Sequence, residues 1–306
     1  MKLLMIMAAA LYVVVSSCTK DKTDYEAEIE TVVTEHLTFK EVARFEKDGY
    51  TIHIASLNGT FYKGYNEVHV SVQRGAVAVE PEEITCLPIF TDAQGQHTTG
   101  PHGYQLVHQA DSGYHTSYVV FTQESGTGNE WRLYMSFRTN GVTHQLDEAI
   151  AVVPQPNKNL NMTSFIGSDG AHYVIALVGP QKPNVAENEL VAGIYRYDKP
   201  STATSGNFPE PELFSYAAVE GYTLQLDPRM PEPSMGNHSS PNNKDLTARS
   251  DGLYQGVVNY TMTGNWTLNF ILSDPLGKIV KGTVVPDDFT PGVQGVKSEL
   301  YLDILF

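Results

Sequence analysis

The sequence predicts an all-β protein built as two tandem antiparallel two-sheet sandwiches, and three observations lead there. Short runs alternate branched or aromatic residues with polar ones, turn signals separate the runs, and features of the first half recur in order in the second. Alternation with period two places one set of side chains on each face of a strand, the pattern of a half-buried sheet.

The first 17 residues stand apart from the fold. Lys2 precedes an apolar run, residues 3–15, which is too short to span a bilayer and has the length of a secretory h-region. It closes on Val15-Ser16-Ser17-Cys18, which resembles the signal box of bacterial lipoproteins. The resemblance implies that residues 1–17 are removed and that Cys18 carries the lipid; an ordinary signal peptide with an incidental cysteine is the alternative. Each buried methylene contributes only about 0.8 kcal/mol, so several acyl chains are needed for stable attachment. The expected place is the bacterial cell envelope, lipid-anchored at the outer membrane or the periplasmic face. Residues 18–36 follow as a tether, in which only the acidic stretch from Tyr25 to His36 has a helical reading.

Strands are expected at residues 50–56 (YTIHIAS), 67–73 (EVHVSVQ), 131–137 (WRLYMSF), 173–177 (YVIAL) and 266–272 (WTLNFIL). Turns are expected at Asp48-Gly49, Asn58-Gly59, Asp169-Gly170, Asp251-Gly252 and residues 274–277 (DPLG). The repeat matches Tyr50 with Tyr173, Asn66-Glu67 with Asn188-Glu189, Gly100-Pro101-His102 with Gly236-Asn237-His238, Ser112-Gly113 with Asp251-Gly252, Trp131 with Trp266, and Val152-Val153-Pro154 with Val284-Val285-Pro286. The spacing drifts along the chain. An insertion at residues 199–214, rich in Pro, Ser and Thr, accounts for the drift and is expected as a surface loop of the second copy. The expected domains are 37–154 and 155–306, with a loop-like linker from Pro154 to Asn161.

The net charge of −15 excludes a nucleic-acid partner, because no basic surface offsets phosphate repulsion. With Cys18 lipidated, Cys86 is the only other cysteine, so stability rests on burial rather than on an intramolecular disulfide. The chain carries no Gly-x-Ser-x-Gly elbow, no His-Glu-x-x-His and no glycine-rich phosphate loop. Carboxylate groups such as Glu80-Pro81-Glu82-Glu83 and Asp287-Asp288 read as solvated turns. The expectation is a protein that is not an enzyme.

One stretch carries donor chemistry. Residues 230–272 contain Met230-Pro231, Met235-Gly236-Asn237-His238, the run GLYQG at 252–256, and the run YTMTGNW at 260–266. This succession resembles the YtkA-like family of exported domains, with a divergent copy in the N-terminal half. The resemblance implies immunoglobulin-like sandwiches at the cell envelope and a connection to copper. Thioethers suit Cu(I) and imidazole suits Cu(I), Cu(II) or Zn(II), so Met230, Met235, His238 and Met262 form the candidate copper set. The alternative has the methionines filling gaps over the end of a sandwich and His238 capping a turn. In the first copy the matched loop lacks methionine but holds His97 and His102, secondary metal candidates with Cys86, His108 and His115 as further possible donors; the alternative is a buried Cys86 and exposed loop histidines. Trp131 and Trp266 are expected to anchor the cores, while Tyr62, Tyr65 and Tyr104 keep open a ligand-stacking surface. The functional expectation is an envelope lipoprotein that binds copper, with a cell-surface structural or adhesion-type module for a protein or glycan partner as the alternative.

Overall fold

The computed structural model describes residues 38–156, 158–198 and 209–305; the signal segment, Cys18 and the tether lie outside the described residues. In the first half the strands are β1 (Phe39–Lys47), β2 (Tyr50–Leu57), β3 (Phe61–Tyr62), β4 (Gly64–Arg74), β5 (Val77–Val79), β6 (Glu83–Thr91), β7 (His97–Thr98), β8 (Val107–Gln109), β9 (Tyr114–Phe121), β10 (Glu130–Thr139), β11 (Val142–Ile150) and β12 (Val152–Val153). In the second half they are β13 (Met162–Ile166), β14 (His172–Gly179), β15 (Glu187–Asp198), β16 (Ser215–Ala218), β17 (Thr223–Met230), β18 (His238–Ser239), β19 (Lys244–Ala248), β20 (Tyr254–Asn259), β21 (Asn265–Ser273), β22 (Ile279–Lys281) and β23 (Leu300–Leu305). One turn of 3₁₀-helix, Pro211–Leu213, is the only helical piece among the described residues.

Turn chemistry closes the hairpins. Asp48-Gly49 and Asn140-Gly141 are two-residue loops with positive φ at both positions, linking Lys47 to Tyr50 and Thr139 to Val142. That conformation matches the twist of the flanking strands and selects Asp/Asn followed by Gly.

The first half forms one sheet in the order β1-β2-β4-β9-β8, with β5 on β4, and a second in the order β11-β10-β6-β7. Ile52, Ile54, Val68 and Val70 of the first sheet share a buried core with Ile84, Leu133, Met135 and Phe137 of the second. The second half repeats the order. Strands β13-β14-β15-β20 with β16 on β15 reproduce β1-β2-β4-β9 with β5 on β4, and β18 on β17 beside β21 reproduces β7 on β6 beside β10. Strand β23 takes the place of β11. All these pairings are antiparallel; the short pair β3–β12 is parallel. In the second half β19 pairs with both β20 and β17 and so joins the sheets, a link that the first half makes only through a bridge between Thr85 and Gln105.

Side chains repeat with the strands. The amide of Asn66 donates to Tyr62 O (2.6 Å) and Gly64 O (2.9 Å) and accepts from Tyr62 N (2.9 Å). Asn188 does the same with Asn184 O (2.8 Å), Ala186 O (2.7 Å) and Asn184 N (2.9 Å). Trp131 and Trp266 are fully buried, and their indole N–H groups donate to Gln123 O (2.9 Å) and Met262 O (3.0 Å). Two matches read from the sequence are corrected by this register. His238 lies in β18, the counterpart of β7, so it corresponds to the His97-Thr98 pair and not to His102. The segment Val284 to Pro286 lies between β22 and β23, where the first half has only the Asn140-Gly141 turn, so it does not correspond to Val152 to Pro154.

The halves meet over buried aromatic residues. Tyr65, Tyr118 and Val120 of the first half pack with Met162, Val174, Ala176, Tyr195 and Tyr216. The rings of Tyr65 and Tyr118 stack at 5.5 Å, and those of Tyr118 and Tyr195 at 5.8 Å. Tyr195 folds flat over Gly193, where any Cβ would collide with the tyrosine ring. A second contact comes from the described end of the insertion, which carries Phe214, 6% exposed, onto Leu87 and Ile89 of β6 and so clasps the halves together.

Cys86 sits in β6 opposite Met135, and burial pushes its thiol up to about 12. A protonated thiol is a poor nucleophile. Iodoacetamide at about pH 8 is therefore expected to leave Cys86 unmodified in the folded chain and to alkylate it fully in denaturant, read by mass spectrometry; rapid native alkylation would show that the core opens there.

Candidate functional site

The candidate copper residues lie at one end of the second half. Strand β17 ends at Met230, and the chain turns through two left-handed residues, Gly236 and Asn237, into β18. Backbone bonds from Met235 N to Glu232 O (2.9 Å) and from His238 N to Met235 O (3.2 Å) hold the turn. The return pairs Met230 directly with His238, which places both side chains on one face. Met230 is 1% exposed, and its methyl group packs toward Gly264, where a Cβ would stand 2.9 Å from it. His238 Nε2 lies 2.9 Å from Thr261 Oγ1, and its ring meets Trp266 edge-on at 6.0 Å. Met262 is exposed beside Thr261, and Met235 packs half-buried against the core. Three thioethers and an imidazole at one end suit a soft ion in kind. In this arrangement Met230 also serves the core and His238 also serves Thr261.

A feature absent from the sequence reading braces this end. Between β22 and β23 the chain crosses the outer side of β17 and β21 as a strap. Gly295 N donates to Pro231 O (2.7 Å), the Phe289 ring lies 3.3 Å from a Cβ position on Gly236, and Ser298 N donates to Asn269 Oδ1 (2.8 Å). Arg229, 8% exposed, pairs with Asp227 (2.9 Å) on its own strand and with Asp287 (2.7 Å) of the strap. An unpaired guanidinium in the interior is strongly unfavourable, and the two carboxylates remove that penalty.

The first-half histidines are dispersed over separate partners. His97 is exposed in β7 with Nδ1 3.0 Å from Thr91 Oγ1, while His102 Nδ1 donates to Gly100 O (2.8 Å) beside the bridge to Val119. His108 and His115 are direct cross-strand partners with ring centroids 4.8 Å apart, and Glu80 Oε1 lies 3.1 Å from His108 Nδ1. Among the described residues no three His, Cys, Asp or Glu side chains are grouped to hold a metal ion. Trp131 and Trp266 are buried and unavailable for ligand stacking, and Tyr65 and Tyr104 belong to the contacts between the halves.

Burial holds His102, His115 and His172 below the ordinary value of 6.5, with the charge of His108 adding to the effect at His115. The unfolded chain then binds more protons than the folded one as pH falls. Stability from these groups is complete above about pH 6.5 and is lost below it. The Tm by circular dichroism is expected to fall between about pH 7 and pH 5, before the carboxylates Glu41, Asp48 and Asp169, all held low, begin to protonate. A flat profile over that interval would contradict neutral burial of the three imidazoles.

The architecture and this end together define an all-β protein of antiparallel sheets with a braced Met/His loop. No family model matches the chain, and no curated protein matches it. Among solved structures, the Escherichia coli adhesin FdeC aligns over 83% of this chain and 73% of its own at 11% identity, with a TM-score of 0.20. A conserved domain protein from Bacillus anthracis aligns over 90% of this chain and 93% of its own at 9% identity, with a TM-score of 0.29. Both scores lie below 0.5.

Proposed function

We propose that this chain is a non-enzymatic module of the cell envelope: two tandem immunoglobulin-like sandwiches, residues 37–154 and 155–306, lipid-anchored at Cys18 and presenting a fixed surface to a protein or glycan partner. The observation that carries this reading is the junction, where Tyr118 stacks on Tyr195 and Phe214 is buried against β6. Sandwiches locked in this way keep one relative geometry, so a partner that spans both meets a preorganised surface and little ordering entropy is lost on binding. The test is retention of envelope proteins and of arrayed glycans by the full chain in detergent. A specific partner, competed away by excess soluble chain, is expected; a chain that retains neither class fails as a binding module. Cys18→Ala is expected to release the protein from the membrane fraction, and unchanged membrane association would refute the anchor.

A second reading rests on the cross-strand pairing of Met230 with His238 and on Met262 beside Thr261. It assigns copper to this end, with His238 and exposed Met262 as outer donors and half-buried Met235 and buried Met230 beneath them, in line with the YtkA-like resemblance. Anaerobic titration with Cu(I) against a competing chelator is expected to show one site that disappears in Met235→Ala/His238→Ala. Equal binding by that double variant would rule the assignment out.

A further inference from the structure

The two sheet edges of the second half face one another at β13 and β23, and between them opens a groove of about 310 Å³. Its floor is Met162 and Leu302, both buried, and its walls include Lys158, Thr163, Glu299 and Tyr301. Strand β23 alternates strictly here. Leu300, Leu302 and Ile304 point inward, while Tyr301 and Asp303 point out.

Tyr301 is a fixed platform rather than a loose surface ring. Lys297 Nζ sits 4.6 Å from its ring centroid, both Asp303 carboxylate oxygens hold that ammonium at 2.7 Å, and Thr267 Oγ1 donates to Asp303 Oδ1 at 2.6 Å. The tyrosine nevertheless remains 41% exposed. In the first half the register places Asp147 at this position, paired with Arg132 at 2.7 Å, so the aromatic platform belongs to the second half.

Sheet edges ordinarily invite an added peptide strand. Here Asn161 spans the gap and engages one backbone group on each edge: its Nδ2 donates to Asp303 O (2.9 Å), and its Oδ1 accepts from Met162 N (2.8 Å). What the groove still offers is side-chain chemistry. An aromatic face takes the apolar C–H face of a pyranose, and an ammonium, a hydroxyl and a carboxylate around it supply the mixed donors and acceptors that sugar hydroxyls need. The opposite charges of Lys158 and Glu299 suit a neutral ligand better than a strongly anionic one.

We infer that the groove between β13 and β23 is a saccharide-binding site with Tyr301 as its stacking platform. This inference rests on the reading of the chain as a binding module and names the ligand class and its site. The test applies the full chain in detergent to an array of neutral and acidic oligosaccharides and measures the best-bound sugar by calorimetry. Tyr301→Ala is expected to weaken binding at least about tenfold, Tyr301→Phe to retain it, and Leu276→Ala, which removes an exposed side chain on the turn before β22, to leave it unchanged. Circular dichroism confirms that each variant is folded. Equal sugar binding by Tyr301→Ala overturns the site while leaving the binding-module reading intact. Capture of a protein partner with no sugar bound also overturns the site alone, and failure to bind either class overturns both.

Discussion

Trp266→Ala is expected to destabilise the chain by about 3–5 kcal/mol, and Trp131→Ala by a similar amount. Both indoles are fully buried at equivalent places on β21 and β10, each packed against another aromatic ring, Tyr260 at 5.4 Å and Phe121 at 5.0 Å. Removing either leaves a cavity that the surrounding sheets fill only partly, and it strips the hydrogen-bond donor from Met262 O or Gln123 O. Trp→Phe at either site should fall between wild type and Ala, because it restores most of the volume but not the N–H. Urea unfolding followed by circular dichroism measures the effect. A loss below about 1 kcal/mol at either site would mean that the ring does not anchor its half. Trp266→Ala has a further consequence: it loosens the turn that carries Met262 and the packing around His238, so under the proposed copper reading the Cu(I) site at that end should weaken as well.

Phe214→Ala is expected to cost about 3 kcal/mol, and combined with Tyr195→Ala it should split one unfolding transition into two. The reason lies in the placement of these rings. Phe214 comes from the second half but is buried on Leu87 and Ile89, and Tyr195 stacks on Tyr118 of the first half, so both act mainly between the halves rather than within either core. Gly193→Ala should reproduce part of the effect, since its Cβ would displace the Tyr195 ring. Scanning calorimetry of the wild type and the double variant decides the matter. A single transition that survives with an unchanged midpoint would show that the halves are not energetically coupled through these residues.

Much of the strand pattern was legible because burial on one face of a sheet imposes alternation directly on the chain. The runs beginning at Tyr50, Glu67, Trp131, Tyr173 and Trp266 all lie in strands. Asn66 and Asn188 were matched by neighbouring residues, and their identical hydrogen bonds give that match a physical basis. Pro88 and Pro228 stand opposite Leu133 and Leu268, each two residues beyond the tryptophan of its half, and would have fixed the register of β6 and β17 before any histidine was compared. Aligning on Gly-x-His instead paired His238 with His102, because two loop residues set no register whereas a strand does.

The candidate site was legible in its residues but not in its surroundings. Met230 and His238 pair across β17 and β18, with Thr261 beside His238. That Met230 is also a core residue, that His238 meets Thr261, and that a strap from beyond β22 braces the loop depend on contacts between residues far apart in the chain. The groove at Tyr301 was invisible for the same reason: on the sequence its last strand is a short alternating run, and nothing in it marks Asn161 as its neighbour.

The sequence by itself marked five alternating runs as strands, several of the turns between them, and a recurrence of features between the halves, because periodicity, turn residues and repeated order are local properties of the chain. Only the tertiary structure decided what each strand's face is buried against: the tyrosines that join the halves, the clasp made by Phe214, the strap over the Met/His end, and the open edge beside Tyr301. Alternation records that a side chain is buried but carries no information about its partner, and the partner decides whether it builds a core, a junction or a site.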